Sequence, residues 1–264
     1  MKKIFVIFGL AAGVALGDVK VDVAGLQVTA KGYVAEGENE IHAKRAFSWH
    51  AGTRVGLLVV SDDKAIVKLD EDKSKVTVFS DDQETDFTKA KGRFRSKGAE
   101  FGMTSESNDG KAIVTHVESP GLPKKGAKTL SLKGEVVVSL ASKSKELKSE
   151  ITALKKGEKL VLGEHTFEID KVGKPDWGDA VLEVQLKSSV SHKDFKGFHF
   201  YDAEGDKIES KRSSSGSMGM FGKRTYTVSF NLKEKVDKII FAADAWSDLE
   251  VVKVPFDFTI GAGL

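Results

Sequence analysis

The sequence predicts an all-β protein of two tandem β-sandwich domains behind a cleavable signal peptide. Three observations predict it. Apolar residues recur at every second position, turn signals interrupt them at roughly ten-residue intervals, and the N-terminus has the layout of an export signal. Alternation is plain in Val19, Val21 and Val23, in Val76 and Val78, and in Tyr226, Val228 and Phe230. The turn signals include Asn108-Asp109-Gly110, Ser119-Pro120-Gly121, Lys174-Pro175-Asp176 and Ala203-Glu204-Gly205-Asp206. Short apolar runs at Val55–Val60, Val136–Leu140 and Ile239–Ala243 suit strands buried on both faces.

At the N-terminus, Lys2 and Lys3 precede an uncharged run from Ile4 to Leu16, and Ala15-Leu16-Gly17 places small residues at a cleavage site. The run falls short of the roughly 20 apolar residues that span a bilayer as a helix. The expected signal peptide is therefore 1–17.

Composition then narrows the function classes. The chain has 264 residues, 41 Lys+Arg against 39 Asp+Glu, and no cysteine. Near-balanced charge argues against nucleic acid, which calls for a net basic surface. The absence of cysteine excludes disulfides, thiolate zinc sites, iron–sulfur clusters and cysteine nucleophiles. A transmembrane β-barrel would need ten-residue strands with an uninterrupted apolar face, and here charges interrupt both faces.

A weak internal repeat suggests where the chain divides. Thr77-Val78-Phe79-Ser80-Asp81-Asp82 is echoed by His199-Phe200-Tyr201-Asp202 about 120 residues on. Each half then closes on β-rich segments, Leu130–Leu140 in one and Val251–Ile260 in the other. Two serial domains are expected, 18–150 and 151–264, meeting near Glu150. The stretch 142–157 reads either as a helix, from the spacing of Leu147, Ile151 and Leu154, or as part of a hairpin with Val136–Leu140; the neighbouring strands favour the hairpin.

With its closing run Val254-Pro255-Phe256-Asp257-Phe258-Thr259-Ile260-Gly261, the chain resembles uncharacterised exported proteins of Gram-negative bacteria that carry tandem immunoglobulin-like β-sandwich domains. That resemblance implies location and fold, and it carries over no functional residue.

The residues themselves offer several sites. The six histidines (His42, His50, His116, His165, His192 and His199) form neither His-x-His nor His-Glu-x-x-His. His199 stands between Phe198 and Phe200, on the opposite strand face from both. Ser217 lacks the first glycine of a nucleophile elbow, so 210–223 reads as an inter-strand loop. Its Met218, Met220 and Phe221 either tuck over the sandwich end or meet a partner.

The stretch Asp62–Asp86 holds nine acids and four lysines. It reads as a solvated acidic hairpin edge. Asp70, Asp72, Asp81 and Asp82 are candidate oxygen ligands for Ca²⁺, although the spacing is no EF-hand. Immediately downstream, Lys89, Lys91, Arg93, Arg95 and Lys97 occupy alternate positions. In a strand they would line one face over about 27 Å. Either the acids before them compensate the strip, or it faces an acidic polysaccharide, an anionic surface or an acidic protein. Trp49, Trp177 and Trp246 are core anchors or stacking platforms for sugars, the last two beside Asp and Gly or Ala.

The expected function is a non-enzymatic, exported binding or scaffolding protein in the periplasm, at the cell surface or secreted. A pair of carbohydrate-binding modules and a hydrolase with a site at the domain junction are the alternatives. No cofactor is expected beyond the calcium candidate.

Overall fold

The structure, a computed structural model, describes residues 19–36, 44, 50–91, 98–107, 109–175, 178–220 and 223–262, with the backbone alone for Met220 and Lys223. It is all-β. Among the described residues the only helical elements are 3₁₀ turns, and no helix is long and apolar enough to cross a membrane. Residues 1–17, the expected signal peptide, lie outside the described ones, as do Trp49, Trp177, Arg93, Arg95 and Lys97.

The chain divides into two compact units, and the division is nested rather than serial. Unit 1 takes the chain up to Leu140 together with everything from Glu250 onward; unit 2 is Ala141–Leu249. This departs from the expected boundary near Glu150. The closing strand returns to the first unit.

In unit 1, one sheet is ordered β1 (Val19–Thr29), β2 (Gly52–Ser61) and β7 (Ala112–Ser119). Two short strands, β5 (Glu100–Phe101) and β6 (Ser105–Glu106), pair with β7. The opposing sheet is centred on β8 (Thr129–Ala141). It pairs with β3 (Ala65–Leu69) and β4 (Lys75–Asp81), and with β19 (Glu250–Gly261). The β8–β19 ladder is unbroken from Leu140 opposite Glu250 to Thr129 opposite Gly261. Thus Leu130–Leu140 and Val251–Ile260, expected to close separate halves, are partners of each other.

Alternation explains the core between these sheets. Val55, Leu57 and Val59 of β2 point inward against Leu130, Leu132, Phe79, Val254, Phe256 and Phe258. The run Val55–Val60 is buried on one face only, so it is a half-exposed strand rather than one covered on both sides. Gly134 marks a close approach: a Cβ there would lie 2.1 Å from the Lys75 carbonyl oxygen.

Unit 2 also has two sheets. One is ordered β11 (Lys159–Leu162), β12 (His165–Gly173), β13 (Leu182–Ser188), β17 (Lys223–Leu232) and β16 (Ser210–Met220). The other is built on β18 (Lys238–Trp246), flanked by β14 (Phe195–Tyr201) with β15 (Lys207–Ile208) on one side. On the other side lie β9 (Ser144–Lys148) and β10 (Thr152–Ala153). A phenylalanine cluster fills the space between the sheets. Phe241 lies 5.2–5.8 Å, ring centre to ring centre, from Phe167, Phe198 and Phe200.

Two expectations are corrected here. The 142–157 region is extended, as favoured, but β9 does not fold back on β8. It pairs with β18 instead, Lys148 opposite Ala242 through Ser144 opposite Trp246. And 210–223 is not a flexible loop: its first eleven residues form β16, which pairs with β17 along its length.

Candidate functional site

The outward face of β9–β18–β14 collects the richest chemistry among the described residues. Strand alternation puts Phe195, Phe200, Ile239, Phe241 and Ala243 into the core. The intervening residues must then face away: His199 and Tyr201 on β14, Ala242, Asp244 and Trp246 on β18, Glu146 and Lys148 on β9. The register places Asp244 between Glu146 and Gly197, and Ala242 between Lys148 and His199. Glycine and alanine thus form a low floor under larger polar neighbours.

These side chains meet. His199 Nε2 lies 2.9 Å from Asp244 Oδ2, both half-buried. The Tyr201 hydroxyl donates to Glu146 Oε1 at 2.8 Å. That acceptor holds the phenol above its ordinary pKa, with burial adding to the effect, so Tyr201 stays a donor at neutral pH. Lys148 Nζ lies 3.2 Å from Glu146 Oε2 and 4.2 Å from the centre of the Tyr201 ring. Lys196 Nζ approaches Trp246 at 6.0 Å. The Cα atoms of Tyr201 and Trp246 stand about 20 Å apart along the strands, since Tyr201 pairs with Ile240, six residues before Trp246. The result is an open face with an aromatic ring toward each end and carboxylate, imidazole and ammonium groups between them.

The other sequence candidates fall elsewhere. Asp70 opens a turn that Ser74 closes: Ser74 Oγ donates to the Asp70 carbonyl oxygen and accepts from Val137 N–H. The Asp70 carboxylate pairs with Lys73 at 3.0 Å, which lowers its pKa. Asp72 is exposed in the same turn. Burial works to raise the Asp81 pKa, but its carboxylate accepts from the backbone N–H groups of Lys124, Thr85 and Gln83, and the net direction is down. Both Asp82 oxygens accept from Lys128 N–H. These carboxylates are engaged in organising loops, and the described residues contain no group of three His, Asp or Glu suited to a metal ion.

Of the basic strip, Lys89 sits in a 3₁₀ turn, Phe87–Lys89, rather than a strand. The alternating face therefore does not begin there. Lys89 pairs with Asp86 at 2.8 Å, and with Thr88 it draws the Asp86 pKa down to about 2. Lys91 is exposed beyond the turn.

Of the residues that sequence reasoning singled out, the sheet face gathers His199 and Trp246. Tyr201 and Asp244 had figured only as neighbours, and Glu146 and Lys148 not at all. A signal for all of them was present, since Glu146-x-Lys148, His199-x-Tyr201 and Asp244-x-Trp246 are polar or aromatic pairs at strand spacing. Comparisons of the chain with protein-family models, with curated proteins and with solved structures find no match.

Proposed function

We propose that the protein is an exported, non-enzymatic binding protein of two immunoglobulin-like sandwich units, and that the outward face of β9–β18–β14 recognises carbohydrate. The basic-apolar-small N-terminus supports export to the periplasm, cell surface or medium. The observation that carries the ligand class is the pairing of Tyr201 and Trp246 with Asp244, His199 and Glu146 on one open face. A sugar ring stacks its apolar side on an aromatic and offers its hydroxyls to carboxylate and imidazole. The face is long enough for a chain of sugars.

The His199–Asp244 pair favours one second reading, hydrolysis, because a carboxylate orients imidazole as a base. The pair lies on an open face rather than in a water-excluding cleft, and that arrangement suits binding better.

Calorimetric titration against a panel of neutral and acidic polysaccharides tests the proposal. Binding by the intact protein, weakened at least about tenfold by Trp246→Ala and by Tyr201→Ala, is the expected result. Undiminished affinity in both variants removes the site. Turnover of a polysaccharide that His199→Ala abolishes replaces binding with hydrolysis.

A further inference from the structure

Each aromatic ring on the β9–β18–β14 face has an ammonium group beside it. Tyr201 reaches across its sheet, since its hydroxyl bonds to Glu146 on β9, two strands away. Its side chain therefore passes over Ala242, which is fully buried although alternation turns it away from the core. Lys148 Nζ stands over the Tyr201 ring, 4.2 Å from its centre, and Glu146 Oε2 holds it there at 3.2 Å. That ring face opens to a sugar only when the ammonium moves.

The other end repeats the pairing by a different device. The register of β14 on β18 shifts between Phe195 and Gly197, so Lys196 is the extra residue of a β-bulge. Bulges re-aim side chains, and this one sends Lys196 Nζ to within 6.0 Å of the Trp246 ring centre. Lys196 pairs with no carboxylate among the described residues. The two acids on these three strands are already engaged, Asp244 by His199 and Glu146 by Tyr201 and Lys148.

This arrangement discriminates between sugars. A neutral sugar that stacks on Tyr201 must break the Glu146–Lys148 pair and leave the ammonium unpartnered. A sugar carboxylate takes the place of Glu146, so one ion pair is exchanged for another. Glu146 keeps the Tyr201 hydroxyl as a donor. At Trp246 a sugar carboxylate gives Lys196 the partner that the strands do not supply.

We propose that the ligand of this face is an acidic polysaccharide whose sugars carry carboxylates, and that Lys148 and Lys196 determine that specificity. The inference rests on the carbohydrate reading of the same face. On binding, Lys148 turns from Glu146 to the ligand and uncovers the ring.

Calorimetric titration of the full-length mature protein with polygalacturonate and with alginate tests this, each against its own methyl ester, which keeps the sugars and removes the charge. An exposed ion pair contributes up to about fivefold, so two lysines should favour the acid over the ester by about 25-fold. The preference should weaken as salt rises. Lys148→Ala and Lys196→Ala should each lower it about fivefold, and the double variant should abolish it. Lys148→Ala should bind the ester at least as tightly as the unaltered protein, because its Tyr201 ring is uncovered. Misfolding would not produce that result, and unchanged β circular dichroism checks each variant. Equal affinity for acid and ester, a preference that survives the double substitution, or weaker ester binding by Lys148→Ala overturns the proposal. Binding of neutral polysaccharides alone overturns it and leaves the carbohydrate reading standing. Binding of no polysaccharide, neutral or acidic, removes both.

Discussion

At the scale of single residues, several aspartates organise the backbone around them, among them Asp81, Asp202 and Asp248. Asp248 shows the principle most clearly. Its carboxylate accepts from Ser142 Oγ at 2.6 Å, from Lys143 N–H at 2.8 Å and from Ser142 N–H at 3.0 Å. Those donors, the Ser142 hydroxyl foremost, lower its pKa to about 2 from an ordinary 3.8. The bonds tie the first residues of unit 2 to its last. A carboxyl whose folded pKa is depressed stabilises the fold above its unfolded value, and that contribution is lost as pH falls through the folded one. Unit 2 should therefore lose melting temperature between about pH 4 and pH 2. Asp248→Asn should melt a few degrees lower at neutral pH and show a smaller fall over that window. Thermal scans of the two proteins from pH 7 to pH 2 check this, and parallel curves would show that the clasp contributes nothing.

Among elements, the strand that matters most to unit 1 is the last one. β19 covers the whole length of β8 and buries Val254, Phe256 and Phe258. A single buried Phe→Ala change costs about 3–5 kcal/mol, and a domain has only about 5–15 kcal/mol in total. Removing the strand therefore exceeds the stability available. A chain ended at Leu249 should lose the unfolding transition of unit 1 and keep that of unit 2, as followed by calorimetry. Two retained transitions would mean that β8 needs no partner on that edge. The same element was the one least legible in sequence. Its alternation announces a strand, but nothing in a period of two says which other strand it joins.

For the molecule as a whole, one sandwich is inserted into the sequence of another. The chain leaves unit 1 after Leu140 and returns at Glu250, and those two residues face each other in the β8–β19 ladder. An insertion whose ends lie close together can fold on its own, because closing it costs the host little entropy. The fragment 141–249 should give a β circular dichroism spectrum and a sigmoidal melt. The fragment 151–264 should not, since it lacks β9 and carries β19 without β8. The reverse outcome would restore a serial boundary at Glu150.

Sequence alone determined the secondary-structure class, because alternation and turn chemistry are local: Val55, Leu57 and Val59 point inward in any sheet they join. It also marked His199 and Trp246 as residues worth following. Pairing was decided only in the tertiary structure. The resemblance between Leu130–Leu140 and Val251–Ile260 looks like repetition along the chain and is in fact complementarity across a sheet. The register that sets His199 against Asp244 and Tyr201 against Glu146 follows from the packing of unit 2, since a slip of one residue would turn every one of those side chains into the core. Met218 makes the same point. Its chemistry is readable in sequence, but its exposure goes with a place on β16, the edge strand of its sheet, which only the pairing decides.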